Sequence, residues 1–142
     1  MILPILVVED SADDVDLFRQ ILETARVRNP LLAVRDAQEA RSYLSGQPPF
    51  SDRNRFPSPR IIVLDLRLPA QDGFEVLRWV RGQEQFKDIL IVVLSVSDDL
   101  WAIRRAYELG ANSFLAKPVK VADVENLVRG FPQYWTRSTA ER

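Results

Sequence analysis

The stretch Ile-Ile-Val-Leu-Asp at residues 61–65 places four consecutive apolar residues, three of them β-branched, directly before an acidic residue. Continuous apolar runs of this length are typical of strands that are buried on both faces, as in parallel sheets. The runs at 5–8 and 89–94 have the same character and also end at polar residues. Weaker runs lie at 31–34 and 113–116. The pattern therefore predicts five buried strands.

The segments between these strands carry apolar residues at spacings of three and four, which predicts amphipathic helices. The helix start signals are Ser11, the capping-box pair Asp36 and Glu39, Asp72 with Gly73, and the pair Asp98 and Asp99; the last helix should begin near Val121. The side chains expected to face the sheet are Val15, Phe18, Leu22, Ala25, Ala40, Tyr43, Leu44, Val76, Leu77, Val80, Leu100, Ile103, Tyr107, Leu109, Val124, Leu127 and Val128. Gly46 and Gly110 supply helix stops, and Pro132 should end or kink the last helix.

Strands that alternate with helices in this way predict an α/β protein with a doubly wound parallel sheet. A chain of 142 residues suits one such domain. Residues 47–60 hold four of the nine prolines and show no apolar periodicity. We expect a solvated loop there, inside the domain rather than between two domains.

Composition excludes several kinds of chemistry. The sequence contains neither His nor Cys, so imidazole and thiolate metal sites, serine–histidine catalysis and disulfides are ruled out. The formal charge of −1 offers no basic surface for nucleic acid, so we expect no DNA partner. The apolar runs are too short to cross a membrane and no signal peptide is recognisable, which favours a cytoplasmic protein.

Polar residues close the predicted strands: Glu9 and Asp10 the first, Asp65 the third, Ser95 the fourth and Lys117 the fifth. Ligands of such sheets bind beyond the carboxyl ends of the strands, so these side chains should converge. Any one of them could be a turn former or a helix cap. Three convergent carboxylates, however, repel one another unless a cation lies among them. Oxygen ligands alone favour Mg²⁺ or Mn²⁺.

A divalent cation beside a lysine indicates phosphate chemistry. Asp65 is the candidate nucleophile, because a carboxylate can form an acyl phosphate. Ser95 and Lys117 could each bind a phosphoryl oxygen.

This set of residues resembles the receiver domain of two-component response regulators, from about residue 2 to about residue 131. The resemblance implies the flavodoxin-like (βα)5 fold of that family. The matching segments are Val7-Val8-Glu9-Asp10, Leu64-Asp65-Leu66-Arg67-Leu68-Pro69 followed by Asp72-Gly73, Val93-Leu94-Ser95 and Ala116-Lys117-Pro118.

The resemblance implies a role for each acidic residue. Asp65 becomes the phosphoacceptor, Asp10 a direct metal ligand and Glu9 a ligand through water. The backbone carbonyl of Arg67 completes the protein ligands of Mg²⁺ or Mn²⁺. Because the chain has no His, the phosphoryl donor must be a separate sensor histidine kinase.

The resemblance also implies a switch. Ser95 and Lys117 sense the phosphoryl group, Phe114 is the switch aromatic, and the peptide before Pro118 is cis. The chain departs from the family at Val96, where receivers usually have a small residue. A β-branched side chain there could narrow the path to the phosphoacceptor and change the rates of phosphorylation and dephosphorylation.

Residues 1–131 are expected to form the receiver domain, and 132–142 a short C-terminal extension without an output domain. The proline-rich segment and the pair Tyr134-Trp135 look like the stand-alone receivers that partner bacterial and cyanobacterial phytochrome kinases. Phe131, Tyr134 and Trp135 could pack locally, or could support a homodimer through the face of the fourth helix, fifth strand and fifth helix, near Tyr107.

Three other functions compete with a phosphoacceptor. A haloacid-dehalogenase-type phosphohydrolase needs a second Asp two residues beyond the nucleophile, where this chain has Arg67 after Asp65 and Ala12 after Asp10. A nucleotide or flavin module would carry a glycine-rich phosphate loop, which the sequence lacks. A receiver that serves only as an adaptor would not need the full acidic set.

Overall fold

The computed structural model describes residues 2–68, 73–96 and 100–138. Within them strands and helices alternate, with one 3₁₀ turn at Glu84–Phe86. The strands are β1 (Ile5–Val8), β2 (Leu31–Val34), β3 (Ile61–Asp65), β4 (Leu90–Ser95) and β5 (Ser113–Ala116). The helices are α1 (Ala12–Thr24), α2 (Ala37–Ser45), α3 (Gly73–Arg81), α4 (Leu100–Glu108) and α5 (Val121–Gly130). The helix start signals Asp72, Asp98 and Asp99 lie outside the described residues.

All four strand pairings are parallel, and the strand order is β2-β1-β3-β4-β5. This order confirms the predicted doubly wound sheet. The carboxyl ends of the strands lie together along one side, called here the carboxyl edge, and their starts form the amino edge. The central strands β1, β3 and β4 are buried along their whole length, as their continuous apolar runs predict.

Helices cover both faces of the sheet. One core cluster joins the sheet to α1 and α5, and a second joins the opposite face to α2, α3 and α4. The predicted inner faces of α1, α2, α3 and α5 are buried, which confirms the periodicity. None of the helices in the described part of the chain has the length and apolar character that a bilayer span requires.

The predicted helix ends are mostly confirmed. The backbone N–H of Asp14 donates to the Ser11 hydroxyl, and that of Glu39 to the carboxylate of Asp36. The second half of the predicted capping box is wrong, because the Glu39 carboxylate accepts from the N–H of Arg35 instead. Gly46 follows α2 with φ +70°, a conformation that favours glycine.

The predicted inner face of α4 is wrong for Leu100 and Tyr107, whereas Leu109 packs against the core cluster as predicted. Ala102 and Ala106 contact the core, whereas Leu100 and Tyr107 are 76% and 47% exposed. Ile103 and Leu109 are only half-buried. Alanine allows a helix to pack close to the sheet, so α4 buries its small residues and leaves large apolar ones at the surface.

The loop at 47–60 is not simply solvated, which corrects the prediction. Phe50 and Phe56 pack against the buried ring of Tyr43, with centroid distances of 5.1 and 6.0 Å. The guanidinium of Arg53 donates to the Tyr43 carbonyl at 2.8 Å. All of these contacts are made to Tyr43 by a loop that has no regular secondary structure. Because the contacting residues follow no helical or strand spacing, the sequence shows no apolar periodicity here.

The C-terminal segment packs along the amino edge and not near α4, which corrects its predicted position. Trp135 is 7% exposed and belongs to the core cluster of α1 and α5, with Phe131 and Tyr134 packed against that cluster. A bridge pairs Val27 with Arg137. Local packing therefore accounts for the three aromatic residues of 131–135.

Candidate functional site

The carboxyl edge brings together all the polar residues that close the predicted strands. Glu9 and Asp10 follow β1, Asp65 ends β3, Ser95 ends β4 and Lys117 follows β5. In the register of the sheet Asp65 pairs with Leu94 and Ser95 with Ala116, so the neighbouring strands end at nearly the same level. The convergence predicted from the sequence is therefore observed.

Three carboxylates form one acidic cluster. One oxygen each from Glu9, Asp10 and Asp65 lies within 4.8 Å of the others. Glu9 and Asp65 are buried, each 3% exposed, and Asp10 is exposed. Two buried oxygens beside one that is open to solvent suit Mg²⁺ or Mn²⁺, which keep waters among their ligands. The donor set of this chain thus fits a hard divalent cation.

Lys117 neutralises part of this charge. Its ammonium donates to Glu9 Oε1 and Asp65 Oδ2, both at 2.8 Å, and to Asp14 Oδ2 at 3.1 Å. The lysine side chain is only 16% exposed. Three carboxylates use all three N–H donors of one ammonium, so the lysine is held in a defined position.

Burial raises the pKa of Glu9 to about 6, and the neighbouring Asp65 adds to the increase while Lys117 opposes it. Burial alone would lower the pKa of Lys117, but hydrogen bonds to Asp65 and Glu9 outweigh it and raise that pKa. The lysine therefore stays charged at neutral pH. The negative charge of the cluster is only partly compensated, which favours an additional cation.

The backbone after β3 orients the carboxylate of Asp65. The N–H of Arg67 donates to Asp65 Oδ1 at 2.8 Å, so the two oxygens of Asp65 have different partners. The start of α3 presses against this turn: a Cβ on Gly73 would lie 2.6 Å from the carbonyl oxygen of Asp65 and 2.7 Å from Cα of Leu66. Glycine is thus required at residue 73 by close approach to the site.

The remaining site residues lie on β4 and β5. Ser95 is buried, and its carbonyl accepts from the N–H of Lys117 at 2.8 Å. The peptide between Lys117 and Pro118 is cis, as the resemblance implies. Phe114 is half-buried against the core cluster of α2, α3 and α4.

An apolar groove of about 330 Å³ adjoins the acidic cluster, between α1 and the segment after β5. Glu9, Asp14 and Lys117 line the groove on the side of the cluster. Its other lining residues are apolar: Val7, Leu17, Phe18, Ile21, Leu94, Val96, Pro118 and Val119. Leu17 and Val96 are each 45% exposed, so Val96 lies at the surface of this groove.

Asp14 is the residue of this site that the sequence analysis missed. It lies in the first turn of α1, where acids are common because they suit the helix dipole. Its neighbour Asp13 has the same sequence signal, but the Asp13 side chain is exposed to solvent, whereas Asp14 contacts Lys117. Only the packing of α1 against the segment after β5 distinguishes the two.

A parallel α/β sheet with three acids and a lysine at its carboxyl edge defines a receiver-type signalling domain. Residues 5–129 match the family of the response regulator receiver domain. The chain belongs to this family, whose members act in two-component signalling, and the resemblance stated from the sequence is confirmed.

Three relatives are similar over nearly the whole chain. Response regulator Rcp1 of Synechocystis sp. is 34% identical over 131 residues, which are 92% of this chain and 87% of Rcp1. The solved Mn²⁺-bound form of Rcp1 has a TM-score of 0.75 at 33% identity and covers 98% of this chain and 97% of that chain.

The other two are known from solved structures. The bacteriophytochrome response regulator RtBRR has a TM-score of 0.85 and 33% identity, covering 100% of this chain and 85% of that one. The phosphorylated cyanobacterial phytochrome response regulator RcpA has a TM-score of 0.78 and 32% identity, covering 99% and 98%. The chain is thus similar to response regulators of phytochromes, as its loop and C-terminal segment predict.

Proposed function

We propose that this protein is a phosphoacceptor that receives a phosphoryl group on Asp65. The observation that carries the proposal is the placement of one buried carboxylate between a lysine and two further acids. Lysine and a cation stabilise a phosphoryl group, and the phosphorylated state of the similar RcpA supports the same chemistry.

Glu9, Asp10 and Asp65 would hold Mg²⁺ or Mn²⁺, with the carbonyl of Arg67 as a further ligand. The donor set, and the Mn²⁺-bound form of the similar Rcp1, support this assignment. Such a cation would neutralise charge that develops on the phosphoryl oxygens.

In the transfer step, an oxygen of Asp65 attacks phosphorus and forms the O–P bond while the N–P bond of the donor phosphohistidine breaks. The electron pair of that bond returns to the imidazole nitrogen, which takes up a proton. Lys117 Nζ and the hydroxyl of Ser95 bind phosphoryl oxygens in the product. The protein thus assists its own phosphorylation, and we propose no activity on other substrates.

The donor is a sensor histidine kinase, because the chain has no His of its own. A kinase of the phytochrome type is favoured by the similarity to RtBRR and RcpA. The groove is lined on one side by Lys117, which contacts Asp65, and exposes Leu17 and Val96 at its walls. An apolar helix of the kinase would find complementary surface there.

The output is a change of surface. Once Ser95 binds the phosphoryl group, the half-buried ring of Phe114 can turn inward and alter the surface of α4, β5 and α5. Leu100 and Tyr107 expose apolar area on α4, which supports self-association through this surface. The C-terminal aromatic residues take no part, because they pack at the amino edge.

One experiment tests the phosphoacceptor function. Wild type and Asp65→Asn are incubated with Mg²⁺ and a small phosphodonor, and phosphorylation is followed by mass. Wild type should gain one phosphoryl group and Asp65→Asn none; label on the variant, or none on wild type, would contradict the proposal. Sedimentation of the same samples tests self-association, since only phosphorylated wild type should change its mass distribution.

A further inference from the structure

Among the described residues that contact the Lys117 ammonium, Asp14 is the one that does not belong to the acidic cluster. The cluster takes its oxygens from Glu9, Asp10 and Asp65, and two of these residues also accept hydrogen bonds from Lys117. Asp14 contacts the same ammonium at 3.1 Å from outside that set.

The difference between Asp14 and the cluster residues matters when the cluster binds a cation or when Asp65 is phosphorylated. A cation held by Glu9 and Asp65 would compete with Lys117 for the charge of these two carboxylates, and phosphorylation of Asp65 would replace its carboxylate charge by that of the phosphoryl group. Asp14 would keep its contact with Lys117, because its carboxylate is not among those of the acidic cluster. Its side chain is 46% exposed, so the carboxylate stays in contact with water while it accepts from Lys117.

The start of α1 keeps Asp14 at this place. The Glu9 carboxylate accepts from the N–H of Ser11 at 3.2 Å, and the Ser11 hydroxyl accepts from the N–H of Asp14 at 3.2 Å. These bonds connect the end of β1 to the first turn of α1. The position of Asp14 relative to Lys117 is therefore set by backbone contacts and not by a long flexible side chain.

We propose that Asp14 is a positioning residue that holds the Lys117 ammonium against the phosphoryl group when Glu9 and Asp65 are occupied. This inference rests on the proposed function, since it assigns a part in phosphorylation of Asp65. The alternative role of Asp14 is a favourable charge at the start of a helix, which is independent of Lys117.

The test compares Asp14→Asn with Asp13→Asn in the full chain. Asp13 lies in the same helical turn and is exposed, so its variant matches the loss of charge and of helix-dipole interaction. Phosphorylation by a small phosphodonor is measured at saturating Mg²⁺. We expect Asp14→Asn to lower the maximal rate about tenfold, because misplaced catalytic groups lose rate steeply. The Mg²⁺ affinity of Asp14→Asn should stay within about twofold of wild type. The maximal rate of Asp13→Asn should also stay within about twofold of wild type.

A second comparison shows whether Asp14 acts through the lysine. In a Lys117→Met background, Asp14→Asn should cause no further loss of rate, whereas two independent roles would multiply their effects. An unchanged or faster rate for Asp14→Asn, or an equal loss for Asp13→Asn, overturns the inference. If wild type itself is not labelled on Asp65, the proposed function fails first, and the two failures are distinguishable.

Discussion

At each edge of the sheet one basic side chain forms several hydrogen bonds that connect neighbouring segments. The two side chains have different kinds of acceptors. At the carboxyl edge Lys117 donates to the carboxylates of three residues, Glu9, Asp14 and Asp65. At the amino edge Arg81 donates to neutral oxygens, which belong to the carbonyls of Phe86, Lys87, Ile89 and Gly110 and the side-chain amide of Asn112. The carboxyl edge therefore holds a group of charged side chains, whereas the acceptors of Arg81 at the amino edge are uncharged.

The amino edge is also closed by the C-terminal segment. The Asn29 amide donates to the carbonyls of Leu3 and Tyr134, and its oxygen accepts from the N–H of Thr136 at 2.7 Å. Neutral hydrogen bonds and an apolar side chain, Trp135, complete this edge. The comparison indicates that the amino edge contributes to stability. The carboxyl edge keeps negative charge that Lys117 only partly neutralises, and this charge is available for function.

The largest effect that would sharpen this comparison is expected from Trp135→Ala. Removing a buried indole should lower the free energy of unfolding by about 3–5 kcal/mol, measured by chemical denaturation. Labelling of Asp65 should stay unchanged wherever the variant is folded. Within the described residues the buried Trp135 Nε1 has no hydrogen-bond partner, so Trp135→Phe loses no hydrogen bond and should cost only about 1 kcal/mol. Equal costs for the two variants would contradict the packing.

A smaller loss is expected from Arg81→Ala, which removes the guanidinium donor of four carbonyls in two connecting segments, α3–β4 and α4–β5. The free energy of unfolding should fall by about 2–4 kcal/mol. Because the acceptors are neutral, this loss should be nearly the same in dilute and in concentrated NaCl. Arg78→Ala, an exposed arginine on the same helix, is the matched control and should change stability by less than about 0.5 kcal/mol. A strongly salt-dependent loss would break the comparison between the edges.

The smallest effect concerns the carboxyl edge and depends on pH. The folded state raises the pKa of Glu9 from its ordinary 4.5 to about 6, so it binds this proton more tightly than the unfolded chain. The resulting stability is fully present below about pH 4.5 and is lost as the pH rises through 6, by about 2 kcal/mol.

Denaturation of wild type and Glu9→Gln across pH 4–7.5 without divalent cations measures this loss. The difference between the two proteins should shift in favour of Glu9→Gln as the pH rises. Mg²⁺ should then stabilise wild type more than the variant at pH 7.5, since a bound ligand stabilises the folded state. A difference in the free energy of unfolding that is independent of pH would show that folding does not raise the pKa of Glu9.

The strands, the helix starts and the convergence of Glu9, Asp10, Asp65, Ser95 and Lys117 could all be predicted from local patterns. Buried strands need continuous apolar runs, helices need periodic ones, and parallel strands bring their carboxyl ends to one edge. Each of these rules depends on neighbours in the chain or on a topology with few alternatives.

The errors have the opposite origin. The inner face of α4, the packing of the 47–60 loop and the place of Trp135 all depend on which distant surface each segment meets. Apolar periodicity cannot tell that Ala102, and not Leu100, contacts the sheet, because both fit an amphipathic helix. The same limit separates Asp14 from Asp13: their local signals are equal, and only the approach of Lys117, 103 residues further along the chain, makes one of them part of the site.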